Sequence, residues 1–316
     1  MKIKTIVSNP EQFKITKLSG GYLGKAQKVS VLESGDHYIL KSMGQTGAQI
    51  SYSLFLLKHI KAYGKILTNM AKVCDWEIQE NSTLLALFEF IENTEDRLAN
   101  ISELLQISTL SFLASKQYDY TKVSKEVDFR RTVLYEIKNN GMERYSEKYF
   151  SAHVNNETKA LIDWMTAWAD YFINNQEFKN QYLACVGFIH RDIHRHNIII
   201  NHQNPFLIDF DFSGVDCRLI EITRPTNVYI DVDEFLPMYR KAKEINQPHF
   251  SATEKEIIDR ILVLDIMANL GWEAHEIYNS EGGEYQNEII NFLQTRISIL
   301  QLLLMNRHEF NLDFVS

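Results

Sequence analysis

Over residues 13–90 the apolar positions recur mostly at intervals of two. Phe13–Leu18 alternates apolar and polar side chains, and Val29–Leu32 and Tyr38–Lys41 are short β-type runs. Lys72–Gln79 and Ser82–Phe90 extend the pattern, so five strands are predicted. One helical interval interrupts them, Ser51–Tyr63, rich in Leu, Phe and Ile and ending near Gly64. From about Asp96 the period lengthens. Ala99–Ser115 and Ser124–Asn140 are predicted helices, the second stopped by Asn140-Gly141. Glu157–Phe178 carries Leu161, Trp164, Met165, Trp168 and Phe172 at spacings of three and four, the stripe of a helix packed into a core. Asp231–Glu244 is a further helix that ends before Pro248. Ser251 and Glu254 form a capping-box pattern that opens another, and Asn287–Met305 has one strongly apolar face that suits a closing helix.

The change of period divides the chain into residues 1–91, rich in strands, and 92–316, rich in helices. The expected class is α+β, and a length of 316 residues suits two lobes. The composition is that of an ordinary globular protein, 45% hydrophobic and 23% charged. The formal net charge of −8 disfavours a broad nucleic-acid-binding face. Cys74, Cys185 and Cys217 lie far apart and form no CxxC pair, which suits a reducing compartment. Neither a leader-like N-terminus nor a run of about 18 apolar residues is evident. The expectation is therefore a cytoplasmic protein without a membrane partner.

Chemistry concentrates between the two helical stretches, in Ile189–Ile200 and Phe206–Asp211. Asp192 sits in a polar loop, Asn197 follows five positions on, and an apolar run then ends at Asp209 and Asp211. A carboxylate that orients an acceptor hydroxyl, with carboxylate and amide oxygens to hold Mg2+, is the equipment phosphoryl transfer needs. His-Arg-Asp-x-x-x-x-Asn is also the catalytic-loop pattern of kinases. On that pattern Asp192 is the base and Asn197 a metal ligand, with Asp209 as the main Mg2+ ligand. If the strand continues, Asp211 points to the same side as Asp209 and assists it. His190 is expected to brace the loop near Asp209. His190, His194 and His196 together with these acids would also suit Zn2+ or Fe by ligand type, but no His-x3-His spacing on a clear helix accompanies them.

The first lobe supplies compatible parts. Gly20, Gly21 and Gly24 fall between the first two strands, where they suit either a hairpin turn or a backbone cradle for an anion. Lys41 closes the third predicted strand, where it could snorkel at the strand end or reach phosphates. No acid occurs from Ser42 to Cys74, so Lys41 has no helix glutamate, and Gln49 is a neutral stand-in at best. Glu89 and Ile91 end an apolar strand that opens onto Glu92–Asp96, a place for a hinge whose backbone groups meet an adenine ring.

Phe188–Asn197 followed by Leu207–Ser213 resembles the aminoglycoside phosphotransferase/choline kinase-like superfamily, whose members read H-x-D-x-x-x-x-N and then I-D-[FW]-[DE]. The Ile-Asp-Phe-Asp form is most similar to the spore-coat CotS-type and homoserine-kinase-like branches. The strong match spans residues 186–224. It implies a bilobal protein-kinase-like fold, ATP and Mg2+ as cofactors, and transfer of the γ-phosphoryl group to a hydroxyl of a small molecule (aminoglycoside, choline, homoserine or sugar-like). The spore-coat resemblance also admits a catalytically silent or protein-directed component. Ser19 departs from a full glycine loop. Glu221 stands where relatives often carry an aspartate, in a structural role. Asp231, Asp233 and Glu234 follow closely enough to line an acceptor pocket for an amine, or form an ordinary acidic helix start. Trp272, Glu273 and His275 are open in the same way.

Overall fold

The computed structural model describes residues 1–18, 26–119, 132–138, 158–279, 284–310 and 312. Strands β1 (Phe13–Lys17), β2 (Ala26–Val31), β3 (His37–Gly44), β4 (Val73–Ile78) and β5 (Leu84–Glu89) form one antiparallel sheet in the order β1-β2-β3-β5-β4. Helices dominate the remainder, in a bilobal kinase-like arrangement.

Register decides what each face of the sheet carries. Leu40 pairs with Leu87 and Lys41 with Ala86. Successive side chains alternate between faces. Leu40 and Leu87 therefore join Val29 and Phe13 in a small core closed by Ile3 and Ile6 of helix α1 (Ile3–Ser8). That helix was not expected from periodicity, because only two of its positions are buried. Ala86 and Phe88 face the other way, into the main core beneath α2 (Gly47–Tyr63). Lys41 shares this second face. It lies inside β3, which continues to Gly44, and not at the strand end expected from the apolar run.

Helix α2 starts earlier than its apolar spacing suggested because Thr46 caps it. The Gln49 N–H donates to Thr46 Oγ1 at 3.3 Å, and Gln49 Oε1 accepts the Thr46 N–H at 3.3 Å. Gln49 is thus occupied as a cap, not as a partner for Lys41.

The helical part comprises α3 (Ile101–Gln117), the short α4 (Val133–Glu136), α5 (Thr158–Asn174), α6 (Gln176–Ala184), α7 (Ile220–Thr223), α8 (Val232–Asn246), α9 (Ala252–Asn279) and α10 (Glu284–Met305). The helix expected over 157–178 is two helices. Asn175 Oδ1 accepts the Phe178 N–H at 2.7 Å and restarts the chain as α6. Leu161, Met165, Trp168 and Phe172 are buried, as the stripe required. Of the helix expected over 124–140, most lies outside the described residues and the described part holds α4. The Ser251–Glu254 box is formed, the Glu254 N–H donating to Ser251 Oγ at 3.2 Å. Gln286–Met305 is long and apolar enough, by length and composition alone, to cross a membrane, contrary to the expectation of no such run. Its Leu293, Ile299, Leu300 and Leu303 are buried in the main core.

Two small sheets carry the chemistry-bearing stretch. β6 (Val186–Ile189) pairs with β9 (Gly214–Cys217), and β7 (Ile198–Asn201) with β8 (Asn204–Leu207). The β7–β8 turn has His202 and Gln203 at φ of 46° and 66°, the left-handed geometry of a tight hairpin. The hairpin is stitched to the first part of the chain by Ala71 N–H to Leu207 O and Leu207 N–H to Asn69 O, each 2.9 Å.

Candidate active site

β6 ends at Ile189, and the chain passes through His190, Arg191 and Asp192 before a 3-10 turn at Arg195–Asn197 leads into β7. Every turn of this loop has a partner. His190 is fully buried. Its Nε2 lies 2.9 Å from the Ile208 carbonyl, while Nδ1 accepts the Asp192 N–H at 3.2 Å. The proton therefore belongs on Nε2, an assignment made from the hydrogen-bond pattern. Burial lowers the imidazole to about 4 and keeps it neutral. His190 thereby ties the loop to the residue before Asp209.

Arg191 adopts a left-handed backbone, φ 67°, an arrangement that persists only where the surroundings enforce it. Its N–H donates to Glu221 Oε1 at 2.9 Å, and its guanidinium lies 3.2 Å from Asp216 Oδ2. Glu221 is fully buried on α7 and also accepts from Ser111 Oγ. Burial raises its carboxyl to about 7, against the opposing hydrogen bonds from Ser111 and the loop backbone. Its position beneath the loop accords with the structural role read for it.

Asp192 is gripped on one oxygen. Asn197 Nδ2 donates to Asp192 Oδ2 at 3.0 Å and to its carbonyl at 2.9 Å, and His194 Nε2 lies 3.4 Å from the same Oδ2. His194 Nδ1 accepts the His196 N–H, which assigns its ring proton to the Asp192 side. Burial pushes Asp192 upward, but the hydrogen bond and charge of His194, with His190 and Arg224 behind, leave it below the usual carboxylate value. Asp192 Oδ1 and Asn197 Oδ1 have no partner among the described residues.

Lys41 reaches across from the sheet. Its Nζ is 2.7 Å from Asp209 Oδ1 and 2.7 Å from Asp211 Oδ2. Burial would lower this amine; the charges of Asp211 and then Asp209 outweigh it and raise the pKa. The missing acidic partner of Lys41 is therefore supplied from the far side of the cleft. The expected route by which Asp211 joins Asp209 needs correcting. The strand ends at Leu207, Asp209 is left-handed at φ 59° and ψ 74°, and Phe210–Phe212 is a 3-10 turn. It is this turn, not strand alternation, that brings both carboxylates to Lys41. Ile208 N–H bonds to the Asn197 carbonyl at 2.9 Å, so Asn197 and Asp209 flank the open end of the β7–β8 hairpin.

Among the described residues, no three His, Cys, Asp or Glu side chains group as a metal site. His194 and His196 instead pack against Tyr229, ring centroids 4.7 Å from each. Asn197 Oδ1 and the carboxylates of Asp209 and Asp211 are a set of hard oxygens that suits Mg2+ better than Zn2+.

The remaining expected residues are dispersed. Gly20, Gly21 and Gly24 lie outside the described residues. The Glu89 N–H is already used by the Lys72 carbonyl at 2.8 Å, which removes it as a donor to an adenine ring. Ile91 has no backbone partner among the described residues. Asp231 and Asp233 are exposed at the start of α8, and Glu234 pairs with Arg195 at 3.1 Å.

Sequence reasoning missed the buried charges behind the loop. Asp216 is fully buried and accepts the Tyr182 hydroxyl and the Val133 N–H, besides facing Arg191. Burial outweighs these partners and raises its pKa. Arg224 grips Asp265 through Nε at 2.9 Å and through Nη2. The available signal was an acid inside the apolar strand Gly214–Cys217, since a buried charge demands partners.

The model of the family described as APH, phosphotransferase enzyme family, matches residues 32–252. No curated protein matches the chain. Among solved structures, the choline kinase from Cryptosporidium parvum Iowa II matches with a TM-score of 0.59 at 12% identity, covering 96% of this chain and 92% of that one. Spectinomycin phosphotransferase APH(9)-Ia, in complex with ADP and spectinomycin, matches with 0.59 at 12%, covering 94% and 97%. Amicoumacin kinase hAmiN, in complex with AMP-PNP, Ca2+ and Ami, matches with 0.58 at 13%, covering 94% and 93%. At such identities the likeness is one of fold alone.

Proposed function

Since the chain belongs to the APH phosphotransferase enzyme family, we propose that it is a small-molecule kinase that transfers the γ-phosphoryl group of ATP to a hydroxyl, with Asp192 as base. Residues 1–91 form the nucleotide-binding lobe and 92–316 the catalytic and acceptor-binding lobe in this reading. The single observation that carries it is the convergence of Asp192, Asn197, Asp209 and Lys41 around one hairpin mouth, with Asp192 Oδ1 and Asn197 Oδ1 left unpartnered among the described residues.

Asn197 Oδ1 and Asp209 would hold Mg2+, which when bound neutralises charge on the phosphates. Lys41 holds Asp209 and Asp211 in place and offers its ammonium to the nucleotide phosphates. In this reading Gly20, Gly21 and Gly24 are assigned to nucleotide binding from the sequence alone, and the backbone at Ile91 is offered to the base. Asp192 remains ionised at neutral pH, and the acceptor hydroxyl donates to its free Oδ1. A depressed pKa makes it a weak base. Phosphoryl transfer goes through a loose transition state, so orienting the hydroxyl contributes more than early proton removal. Asp231 and Asp233 stand at the outer rim of the acceptor side. The free thiols Cys74, Cys185 and Cys217 suit action in a reducing cytoplasm.

The test is ATP consumption with Mg2+ across a panel of hydroxyl compounds, paired with thermal shift by ATP and Mg2+. The expected result is a nucleotide-dependent rise in Tm and turnover of at least one acceptor. Absence of both at millimolar nucleotide would reject the reading.

A further inference from the structure

Lys41 is seated on oxygens that a divalent cation would need. Its Nζ lies 2.7 Å from Asp209 Oδ1 and 2.7 Å from Asp211 Oδ2, one oxygen of each carboxylate in the proposed Mg2+ set. The cause lies in the first lobe. Residues 42–74 contain no acid, and Gln49 caps α2. Lys41 stands in mid-sheet, opposite Ala26 on β2 and Ala86 on β5, and neither alanine offers its side chain an acceptor. The ammonium therefore finds its carboxylates at the Phe210–Phe212 turn.

Charge decides what this pairing does. Two carboxylates and one ammonium sum to a single negative charge, and Asn197 adds none. An arriving dication meets a half-neutralised set, with a like charge already held against it. The Lys41 side chain is 15% exposed and that of Asp209 42%, so the ammonium is the better shielded of the two and is weakly screened. The turn does not depend on the lysine for its shape. The Tyr52 hydroxyl of α2 donates to the Ser213 carbonyl at 3.2 Å, and the Ser213 N–H donates to the Phe210 carbonyl at 3.2 Å. His190 holds the Ile208 carbonyl at 2.9 Å. The ammonium, on its flexible four-carbon stem, can leave while the carboxylates stay in place.

We infer that Lys41 bars the divalent cation from its site until nucleotide arrives. In the nucleotide-free protein the ammonium takes the cation's place on Asp209 and Asp211; the phosphates of the nucleotide draw it off, and cation and nucleotide enter together. This rests on the phosphotransferase reading above. A nucleoside triphosphate carries more negative charge than the two carboxylates, so the ammonium exchanges one set of anionic oxygens for a stronger one. The vacated carboxylates regain their full charge at the moment the cation needs it. A helix glutamate would have kept the lysine away from the turn, and its absence is what couples the two binding events.

The test titrates Mn2+, a cation that takes the same oxygen ligands, into the nucleotide-free full chain and reads the unbound ion by its electron paramagnetic resonance signal. The parent is expected to leave submillimolar Mn2+ almost wholly unbound. Lys41→Met should tighten Mn2+ binding by about tenfold to a hundredfold, the worth of one charged hydrogen-bonding pair. Lys41→Arg keeps the charge and should bind Mn2+ no better than the parent. Adding Asp209→Asn to Lys41→Met should abolish the gain, which locates the ion. Tight Mn2+ binding by the nucleotide-free parent overturns the inference and needs no variant, so a failure of Lys41→Met to fold does not shield it. No gain in Lys41→Met, an equal gain in Lys41→Arg, or a gain that survives Asp209→Asn also overturns it, and the kinase reading stands in each case. Absence of both an ATP-dependent rise in Tm and turnover removes the kinase reading and this inference together.

Discussion

Lys41 Nζ lies 2.7 Å from Asp211 Oδ2, a carboxylate from the opposite lobe. The helix that follows β3 contributes no acid, and its Gln49 is spent on capping. The lysine is therefore positioned by the same turn that positions Asp209, and the pairing links the two lobes directly. Asp211→Asn should raise the KM for ATP by on the order of tenfold to a hundredfold, equivalent to about 1.5–3 kcal/mol for a charged hydrogen bond, with a smaller effect on kcat. Asp209→Asn should depress kcat as well. Steady-state kinetics over a range of Mg·ATP distinguishes them; identical KM and kcat losses in both variants would mean that Asp211 is a second metal ligand and not a partner of the lysine.

Asp192→Ala removes the free Oδ1 and also deletes the side-chain acceptor of Asn197 Nδ2, leaving that amide only the backbone carbonyl of residue 192, so it mixes two effects. Asp192→Asn keeps an oxygen for Asn197 and removes the charge. Loss of a positioned general base costs about 10²–10⁴ in rate, and kcat should fall within that range while the nucleotide-induced Tm shift is retained. Near-native turnover in Asp192→Asn would exclude it as the base.

The strands, the helix-rich second part and the loop from His190 to Asn197 were legible because each leaves a local mark: a period of two, a period near 3.6, or a fixed spacing of chemical groups. Lys41 and Asp209 are joined across 168 residues, and no local pattern records such a pairing. Asp209 was read as the end of a strand because the run before it is apolar, but a left-handed residue there turns the chain into a 3-10 turn. The break at Asn175 was hidden for a similar reason. Its side-chain cap competes with an apolar stripe that continues through it to Phe178. The buried ions behind the loop showed only as acids in apolar surroundings, and their partners come from distant elements.

Glu221 makes stability depend on pH with a definite sign. Its folded-state value of about 7 exceeds the ordinary 4.5. The folded protein therefore binds more protons than the unfolded chain between these values, and stability falls as pH rises through that window. The full difference is roughly 3 kcal/mol by linkage. His190, held near 4 when folded, acts oppositely, favouring the fold as pH rises towards 6.5. Comparing Glu221→Gln with the parent cancels the histidine contributions. The variant should gain relative stability from pH 4.5 to 7 in urea titrations; a constant difference across that range would show that Glu221 ionises normally.

Asp216 offers a test that is read first in stability. It is buried against Arg191, the Tyr182 hydroxyl and the Val133 N–H. Asp216→Ala leaves Arg191 buried opposite a void, and breaking such a pair costs about 3–5 kcal/mol. Because Arg191 holds the left-handed step before Asp192, kcat should fall as well, with nucleotide KM little changed. Urea unfolding reads the first effect, and a loss under about 1 kcal/mol would show that Arg191 finds another partner.

Gly187 sets how closely β6 approaches α3, and so where the catalytic loop begins. A Cβ there would meet Ser115 Oγ inside van der Waals contact and the Ser115 carbonyl at 3.2 Å. Gly187→Ala should cost about 1–3 kcal/mol, as overpacking of a filled interior does. The Ser115 hydroxyl is itself buried without a partner among the described residues, so Ser115→Ala should be nearly neutral, because it deletes an unsatisfied group together with a few contacts. In the double variant the closest clash is gone and only the carbonyl contact remains. Most of the Gly187→Ala loss should then be recovered, giving a coupling of about 1 kcal/mol or more in a double-mutant cycle. Additive losses would instead place the cost in the β6 backbone, and kcat would then stay depressed in both alanine variants at position 187.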